Sequence, residues 1–147
     1  MNKKQIVYRV IAIIIGFLAG IIIISLIESF AANLFATTEN YIAPNENDDF
    51  NIAFKHLSIP LLVFVLIAYT IGSFLGGFIA SIIGKGIINA LASGLLLMAG
   101  GIINLLIIQH PLWFVISSLI IYLPMAYIGG KLGMYLLSKR NLKFEEQ

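Results

Sequence analysis

Four long uncharged runs, separated by short charged or histidine-containing stretches, constrain this chain more than any other feature. The runs cover residues 10–27, 57–84, 86–109 and 111–130, and contain 18, 28, 24 and 20 residues. A helix needs about 20 predominantly apolar residues to cross roughly 30 Å of hydrocarbon. Spanning β-structure would instead need short segments in which apolar and polar residues alternate. The isoleucine run at 21–24 does not alternate, so the sequence predicts four transmembrane helices.

Composition supports the same class and excludes several others. Apolar residues make up 60% of the chain and charged residues 11%, against about 45–50% and about 25% in soluble domains. A chain this apolar cannot cover itself with polar surface, which excludes a free soluble globule. Since there is no cysteine, disulfide scaffolds, iron–sulfur clusters and thiolate zinc sites are excluded. The net charge of +2 is small and scattered, so nucleic acid is not expected as a partner.

We expect residues 1–147 to form one all-α membrane domain, a four-transmembrane-helix bundle. The expected helices cover 7–30, 58–83, 87–109 and 112–137. Two of the connections are only a few residues long, which predicts tight antiparallel hairpins. The connection after the first helix, 31–57, is long and rich in asparagine, aspartate and glutamate, and is therefore expected to be a polar outer loop.

The basic residues predict how the bundle is oriented. Eight of the nine lie on one side of the expected bundle: Lys3, Lys4, Arg9, Lys85, Lys131, Lys139, Arg140 and Lys143. Lys55 alone lies on the other side. By the positive-inside rule, both termini should be cytoplasmic and the long loop outside, as for a protein of the bacterial cytoplasmic (inner) membrane.

The first helix could also be read as a cleaved signal peptide. Two lysines precede its apolar run, and Ser29-Phe30-Ala31 follows it. A signal peptide has an apolar region of about 7–15 residues, which is shorter than the 18 uncharged positions here. We therefore favour an uncleaved first helix. Cleavage would leave three spans, with the mature N-terminus outside.

Small residues recur at every fourth position and predict the packing faces of the helices. Four-residue spacing places them on one face, where missing side chains let two helix backbones approach closely. The expected packing residues are Gly16, Gly20, Gly72, Gly76, Ala80, Gly84, Gly94 and Gly130. These faces predict a self-contained bundle, and contacts in a homo-oligomer are the alternative.

A few polar side chains at one membrane boundary form a candidate site. Glu28 stands 19 positions after Arg9, about 28 Å along a helix axis. His110 stands 25 positions after Lys85, about 37 Å along its own helix, so both lie near the outer boundary. The candidate polar site comprises Glu28, Asn104, Gln109, His110 and Lys55. The plain alternative is that these are hydrated helix ends.

Glu28 is the only acidic residue inside or bordering an expected span. A carboxylate is costly in hydrocarbon, so it should be neutral, hydrated or paired. We therefore expect Glu28 to face inward and contact the third helix. His110 or Asn104 would be its partner, with Lys55 as the alternative.

The sequence contains no motif of a known catalytic or cofactor site. A nucleotide-binding loop, an HExxH metal motif and a serine–histidine–acid order are all missing, so no catalytic residue, metal or cofactor is expected. A haem between His56 and His110 is conceivable, but both rings are better placed for water. Four aromatic residues fall partly at interfacial depths, namely Trp113, Tyr122, Tyr127 and Tyr135. Among them, Trp113 is expected to anchor the bundle at the membrane surface.

Four short segments are distinctive: Ile27-Glu28-Ser29, the 72–77 segment Gly-Ser-Phe-Leu-Gly-Gly, the 109–114 segment Gln-His-Pro-Leu-Trp-Phe and the 129–132 segment Gly-Gly-Lys-Leu. Together they resemble a group of small bacterial four-helix membrane proteins of unknown function. The likeness covers nearly the whole chain. Many such relatives have proline where this chain has Gln109. The resemblance implies a four-helix fold and a membrane location, but no activity and no functional residue.

Three functions remain open at this level. The first is a membrane-embedded accessory or assembly subunit, bound in the lipid bilayer to a membrane-protein partner. The second is a small homo-oligomeric carrier or channel for an ion or small solute, with Glu28 as its ion-binding group. The third, and least expected, is a membrane enzyme that uses Glu28 and His110 as acid and base.

Overall fold

The structure, a computed structural model, contains four helices that follow one another along the chain. It describes residues 2–38, 59–107 and 110–145, and only the backbone at 35–38 and 141–145. The helices are α1 (Lys3–Thr38), α2 (Ile59–Gly84), α3 (Ile87–Ile107) and α4 (Leu112–Glu145). Each is long and apolar enough to cross a membrane. The predicted all-α, four-helix architecture is confirmed for the described part of the chain, which contains no strand.

The helix boundaries differ from the predicted ones mainly at two ends. Residues 31–38, which we assigned to the outer loop, continue α1 as helix. The Asn33 side-chain amide donates a hydrogen bond to the Ser29 carbonyl at 2.9 Å, so polar residues here belong to the helix surface. The last helix also runs on past 137 to Glu145. Both extensions are more polar than the spans, which is why hydropathy alone ended the helices too early.

The four helices pack with α2 and α3 in the middle. These two contact each other and both remaining helices, whereas α1 and α4 have no contact with each other among the described residues. Gly16 lies against Gly76, and Gly20 against Gly72, so α1 and α2 run antiparallel. Consecutive helices alternate in direction, which places both chain ends at the same end of the bundle.

Two halves of the bundle can therefore be defined by residue number. The termini half contains residues 3–20, 72–97 and 126–145, and the loop half contains residues 21–38, 59–71, 98–107 and 110–125.

Small side chains make the contacts in the termini half. A Cβ atom placed on Gly16 would lie 2.5 Å from the Gly76 carbonyl oxygen, and one on Gly94 would lie 2.6 Å from the Ala126 Cβ. At Gly77 it would lie 2.7 Å from the Ala126 Cα. Real Cβ atoms essentially never come so close to another heavy atom, so these helices touch backbone to backbone.

Large aromatic residues fill the loop half instead. Tyr69, Phe114 and Tyr122 are buried there with Leu62. The Tyr69 ring lies 5.3 Å from the Tyr122 ring in a stacked arrangement and 6.2 Å from the Phe114 ring in a tilted one. Tyr122, which we expected among the interfacial aromatics, is only 2% exposed, because it points between the helices rather than at the membrane surface.

A two-residue turn joins α2 to α3 at the termini end. Lys85 has φ of 52°, in the left-handed region that usually favours glycine. The Gly86 N–H donates to the Ser81 carbonyl at 3.2 Å, which is the 6→1 bond of a Schellman cap. This cap ends α2 abruptly and lets α3 begin at Ile87.

Candidate functional site

The site forms around Glu28, which points into the bundle. Glu28 is eight residues beyond Gly20, about 12 Å further toward the loop end. Tyr69 is three residues from Gly72, and helical side chains lean toward the N-terminus of their own helix. Since α2 begins at the loop end, the Tyr69 hydroxyl extends toward that end and reaches the Glu28 carboxylate.

A chain of hydrogen bonds links three helices at this point. The Tyr69 hydroxyl donates to the Glu28 carboxylate. The Tyr122 hydroxyl in turn donates to the oxygen of Tyr69. The chain therefore runs from α4 through α2 to α1, and it connects the two helices that otherwise do not touch.

The cluster lines a cavity of about 230 Å³ in the loop half. All four helices contribute to the wall, which consists of Phe17, Ile21, Ile24, Ser25, Glu28, Tyr69, Leu97, Gly100, Gly101, Asn104 and Tyr122. Four of these residues are exposed on the bundle surface, namely Ile21, Ser25, Gly100 and Asn104. They belong to α1 and α3, so the cavity opens sideways between these two helices.

The size of the cavity limits what can occupy it. Pockets for drug-sized ligands measure about 300–1,000 Å³, and one water takes up about 30 Å³ in the liquid. At about 230 Å³, the cavity accommodates one small polar group, a single side chain or a short cluster of waters. The carboxylate of Glu28 has further acceptor positions besides the one that Tyr69 uses.

Close packing closes the cavity toward the termini end. The Leu97 side chain lies there, 2.8 Å from where a Cβ on Gly20 would be and 3.3 Å from one on Gly76. The next contact toward the termini joins Gly16, Gly76 and Ala80. The described helices thus leave the cavity a lateral opening and a sealed floor.

The structure brings some of the predicted site residues together and separates others. Glu28 and Asn104 line the same cavity. His110 is not among its lining residues; its ring stacks on Phe114 at 4.8 Å. Lys55 and Gln109 lie outside the described residues.

The partner of Glu28 was missed by the sequence reasoning. We expected His110 or Asn104, but the hydrogen bond comes from Tyr69 of α2. A tyrosine within an apolar run carries no charge signal. Only the direction of α2 and the length of the tyrosine side chain could have indicated it.

The eight expected packing residues lie at or near contacts between helices. Seven of them lie at contacts between helices. At Gly130, for example, an added Cβ would lie 2.5 Å from the Ala90 Cβ. Gly84 differs, since its neighbours are Asn89, just past the turn, and Ala12 at 3.0 Å. Gly77, Gly129 and Gly133 make equally close contacts between α2 and α4. Gly129 and Gly133 are four residues apart, as expected for a packing face, whereas the spacing did not single out Gly77.

Neither metal chemistry nor known relatives indicate a more specific role. Among the described residues, no group of three or more histidine, aspartate or glutamate side chains could hold a metal ion. Comparisons with protein-family models, with curated proteins and with solved structures give no match. Function therefore has to be argued from the geometry of the cavity.

Proposed function

We propose that this multi-pass membrane protein is an accessory subunit that binds a transmembrane segment of a partner protein at the Glu28 cavity. The sideways opening between α1 and α3 is the observation that carries the proposal. A cavity open in this direction faces the interior of the bilayer, where a neighbouring helix can insert a side chain. The orientation with both termini cytoplasmic and the location in the bacterial inner membrane belong to the same proposal.

The chemistry of the cavity indicates what the partner offers. The Glu28 carboxylate receives one hydrogen bond from Tyr69, and Ser25 and Asn104 add polar groups at the opening. Ionisable groups at membrane depth pair with one another or face the interior of a bundle. A lysine, an arginine or a strong hydrogen-bond donor on the partner helix would complete this site.

The close packing on the termini side of the cavity favours a binding site over a transport pathway through the bundle. A carrier or channel needs access to the site from both sides of the membrane. Here Leu97 and the backbone contacts of Gly16 with Gly76 lie between the cavity and the termini end. Opening that side would require helices in backbone contact to separate.

A photo-crosslinking experiment tests the proposal. A benzophenone amino acid at Ile21, at the opening of the cavity, should give a discrete adduct with a second protein in native membranes. The same probe at Ile120, which is 64% exposed on α4, is the control for random lipid-phase collisions. Replacing Glu28→Gln in the Ile21 probe variant should abolish the adduct, because it removes the charge and keeps the shape.

The identity of the adduct decides the outcome. The crosslinked peptide should come from a transmembrane segment with a basic or donor side chain, and reversing the charges of that side chain and Glu28 should restore the adduct. Adducts to lipid alone at Ile21, or equal adducts from Ile21 and Ile120, would contradict the proposal.

The hydrogen-bond chain favours one alternative, a small homo-oligomeric carrier or channel. Two tyrosine hydroxyls lead to a carboxylate in one hydrogen-bonded chain, and the carboxylate is the group that can bind a proton or a cation. In this case the Ile21 probe would crosslink only to a second copy of this chain. Purified protein in liposomes would then carry a cation or proton flux that Glu28→Gln abolishes.

A further inference from the structure

A second cavity lies at the other end of the bundle, between α1 and the turn that joins α2 to α3. It measures about 640 Å³ and is lined by Gln5, Tyr8, Arg9, Ile83, Gly84 and Lys85. This volume is within the range of sites that hold small molecules. We call it the basic cavity, because Arg9 and Lys85 both contribute to its wall.

The basic cavity combines positive charge with neutral hydrogen-bond donors. Arg9 and Lys85 supply the cations, and the Gln5 amide and Tyr8 hydroxyl supply the donors. None of the lining residues that the structure describes is acidic. This donor set matches a phosphate group, whose oxygens accept from arginine in a bidentate manner.

The position of the cavity points to lipid as the source of that phosphate. Arg9 is the last charged residue before the uncharged run of α1, and Lys85 separates the uncharged runs of α2 and α3. Both therefore lie where hydrocarbon gives way to headgroups. Basic pockets between transmembrane helices at this depth are suited to anionic headgroups.

The backbone at Lys85 supplies an independent observation. Its φ of 52° costs a side-chain-bearing residue about 1–2 kcal/mol relative to glycine. The residues on both sides of it are glycines, yet the strained position itself carries a lysine. Strained residues of this kind cluster at ligand sites and switches. The cap of α2 thus fixes the lysine in the wall of the cavity, at the tip of the turn.

We propose that the basic cavity binds the phosphate of an anionic phospholipid, in the leaflet at the termini end of the bundle. Arg9 and Lys85 pair with the phosphate, Gln5 and Tyr8 donate to its remaining oxygens or to the glycerol, and the acyl chains lie along α1 and α2. This site is independent of the partner-binding proposal, since it lies in the opposite half of the molecule.

Lipid binding to the full-length protein in nanodiscs tests the proposal. We would measure the association of a spin-labelled phosphatidylglycerol from a phosphatidylcholine background. The double variant Arg9→Gln/Lys85→Gly should weaken it by about tenfold or more, because each cation contributes about 1 kcal/mol near a membrane surface. Lys85→Gly also relieves the strained backbone, so the variant is expected to fold.

A matched variant distinguishes lipid binding at the basic cavity from general attraction between the anionic lipid and the positive charge of the protein. Lys131→Gln/Lys139→Gln removes the same charge from the same end, on α4, where each lysine lies over its own tyrosine ring. This variant should bind the lipid as the parent protein does. Equal loss in both double variants would overturn the proposal, since it would show attraction by net charge alone.

A competition arm separates lipid from free phosphate. Inorganic phosphate at millimolar concentration should leave the labelled lipid bound, because it lacks acyl chains. If inorganic phosphate displaced the lipid and itself stabilised the protein in pure phosphatidylcholine, the cavity would be a site for a soluble anion and the lipid assignment would be wrong.

Discussion

The two halves of this bundle are held together in opposite ways. In the termini half, glycine, alanine and serine bring backbones into contact, and little side-chain volume lies between the helices. In the loop half, large aromatic rings separate the helices, and a cavity with a carboxylate opens to the side. Lipid solvates apolar side chains as well as a protein interior does, so helix association depends on close packing and hydrogen bonds. The termini half is held together by close packing, and the loop half by hydrogen bonds.

The comparison implies a division of roles between the halves. Backbone contacts such as that of Gly77 with Ala126 leave no room for adjustment, so the termini half should behave as a rigid base. The loop half holds the Glu28 carboxylate, which has acceptor positions besides the one that Tyr69 uses. Binding of a partner helix is therefore expected at the loop half, and rigid packing between the helices at the termini half.

The largest expected effect on stability comes from removing a buried aromatic ring from the loop half. Tyr122→Ala removes a fully buried ring and one link of the hydrogen-bond chain, and should lower the free energy of unfolding by about 3 kcal/mol. Tyr127→Ala is the matched control on the same helix, since Tyr127 is 40% exposed. Reversible unfolding in mixed micelles measures both. Equal effects would show that the Tyr122 ring is not a packing element.

The next largest effect should come from enlarging a residue in the termini half. Gly77→Ala places a Cβ against the α4 backbone, 2.7 Å from the Ala126 Cα. Separating α2 from α4 to make room should cost about 2 kcal/mol. Gly100→Ala is the control, because no described atom lies within 4 Å of its added Cβ. That variant should be as stable as the parent, and a comparable loss would contradict the close-packing account.

Removing the backbone strain in the turn at the termini end should change the free energy of unfolding by a smaller amount, and should raise it rather than lower it. Lys85→Gly removes the left-handed strain and should raise the free energy of unfolding by about 1 kcal/mol in a zwitterionic detergent. The gain is limited because glycine also makes the unfolded chain more flexible. Lys131→Gly, in the middle of α4, should instead destabilise the protein. A loss of stability in Lys85→Gly would show that the lysine side chain stabilises the turn.

Much of the fold could be predicted from the sequence because the membrane imposes simple rules. Charged residues cannot lie in the hydrocarbon, so the uncharged runs predicted the helices to within a few residues at most ends. The exceptions are the end of α1 and the end of α4, where the helix continues past the apolar run to Thr38 and to Glu145. Hydropathy does not predict where a helix of more polar residues ends. Such residues can still bond within the helix, as the side-chain amide of Asn33 does to the Ser29 carbonyl.

The candidate site could be predicted only in part. The cost of a carboxylate in hydrocarbon indicated that Glu28 faces inward, and its depth placed it level with Asn104. The donor that reaches it depends on how α2 is rotated and on the lean of the Tyr69 side chain, and neither follows from spacing along the chain. The burial of Tyr122 could not be predicted for the same reason, since depth alone does not distinguish a residue between helices from one at the membrane surface.

The hydrogen bond between Tyr69 and Glu28 holds the carboxylate inside the bundle, and a double-mutant cycle measures its strength. The unfolding free energies of the parent, Tyr69→Phe, Glu28→Leu and the double variant give their coupling. Hydrogen bonds between membrane helices average about 0.6 kcal/mol and reach about 1.7 kcal/mol, and we expect a coupling in this range. A second cycle, Tyr127→Phe with Glu28→Leu, should be additive. Additivity of the first cycle within about 0.3 kcal/mol would contradict the account, because Glu28 would then not be held by Tyr69.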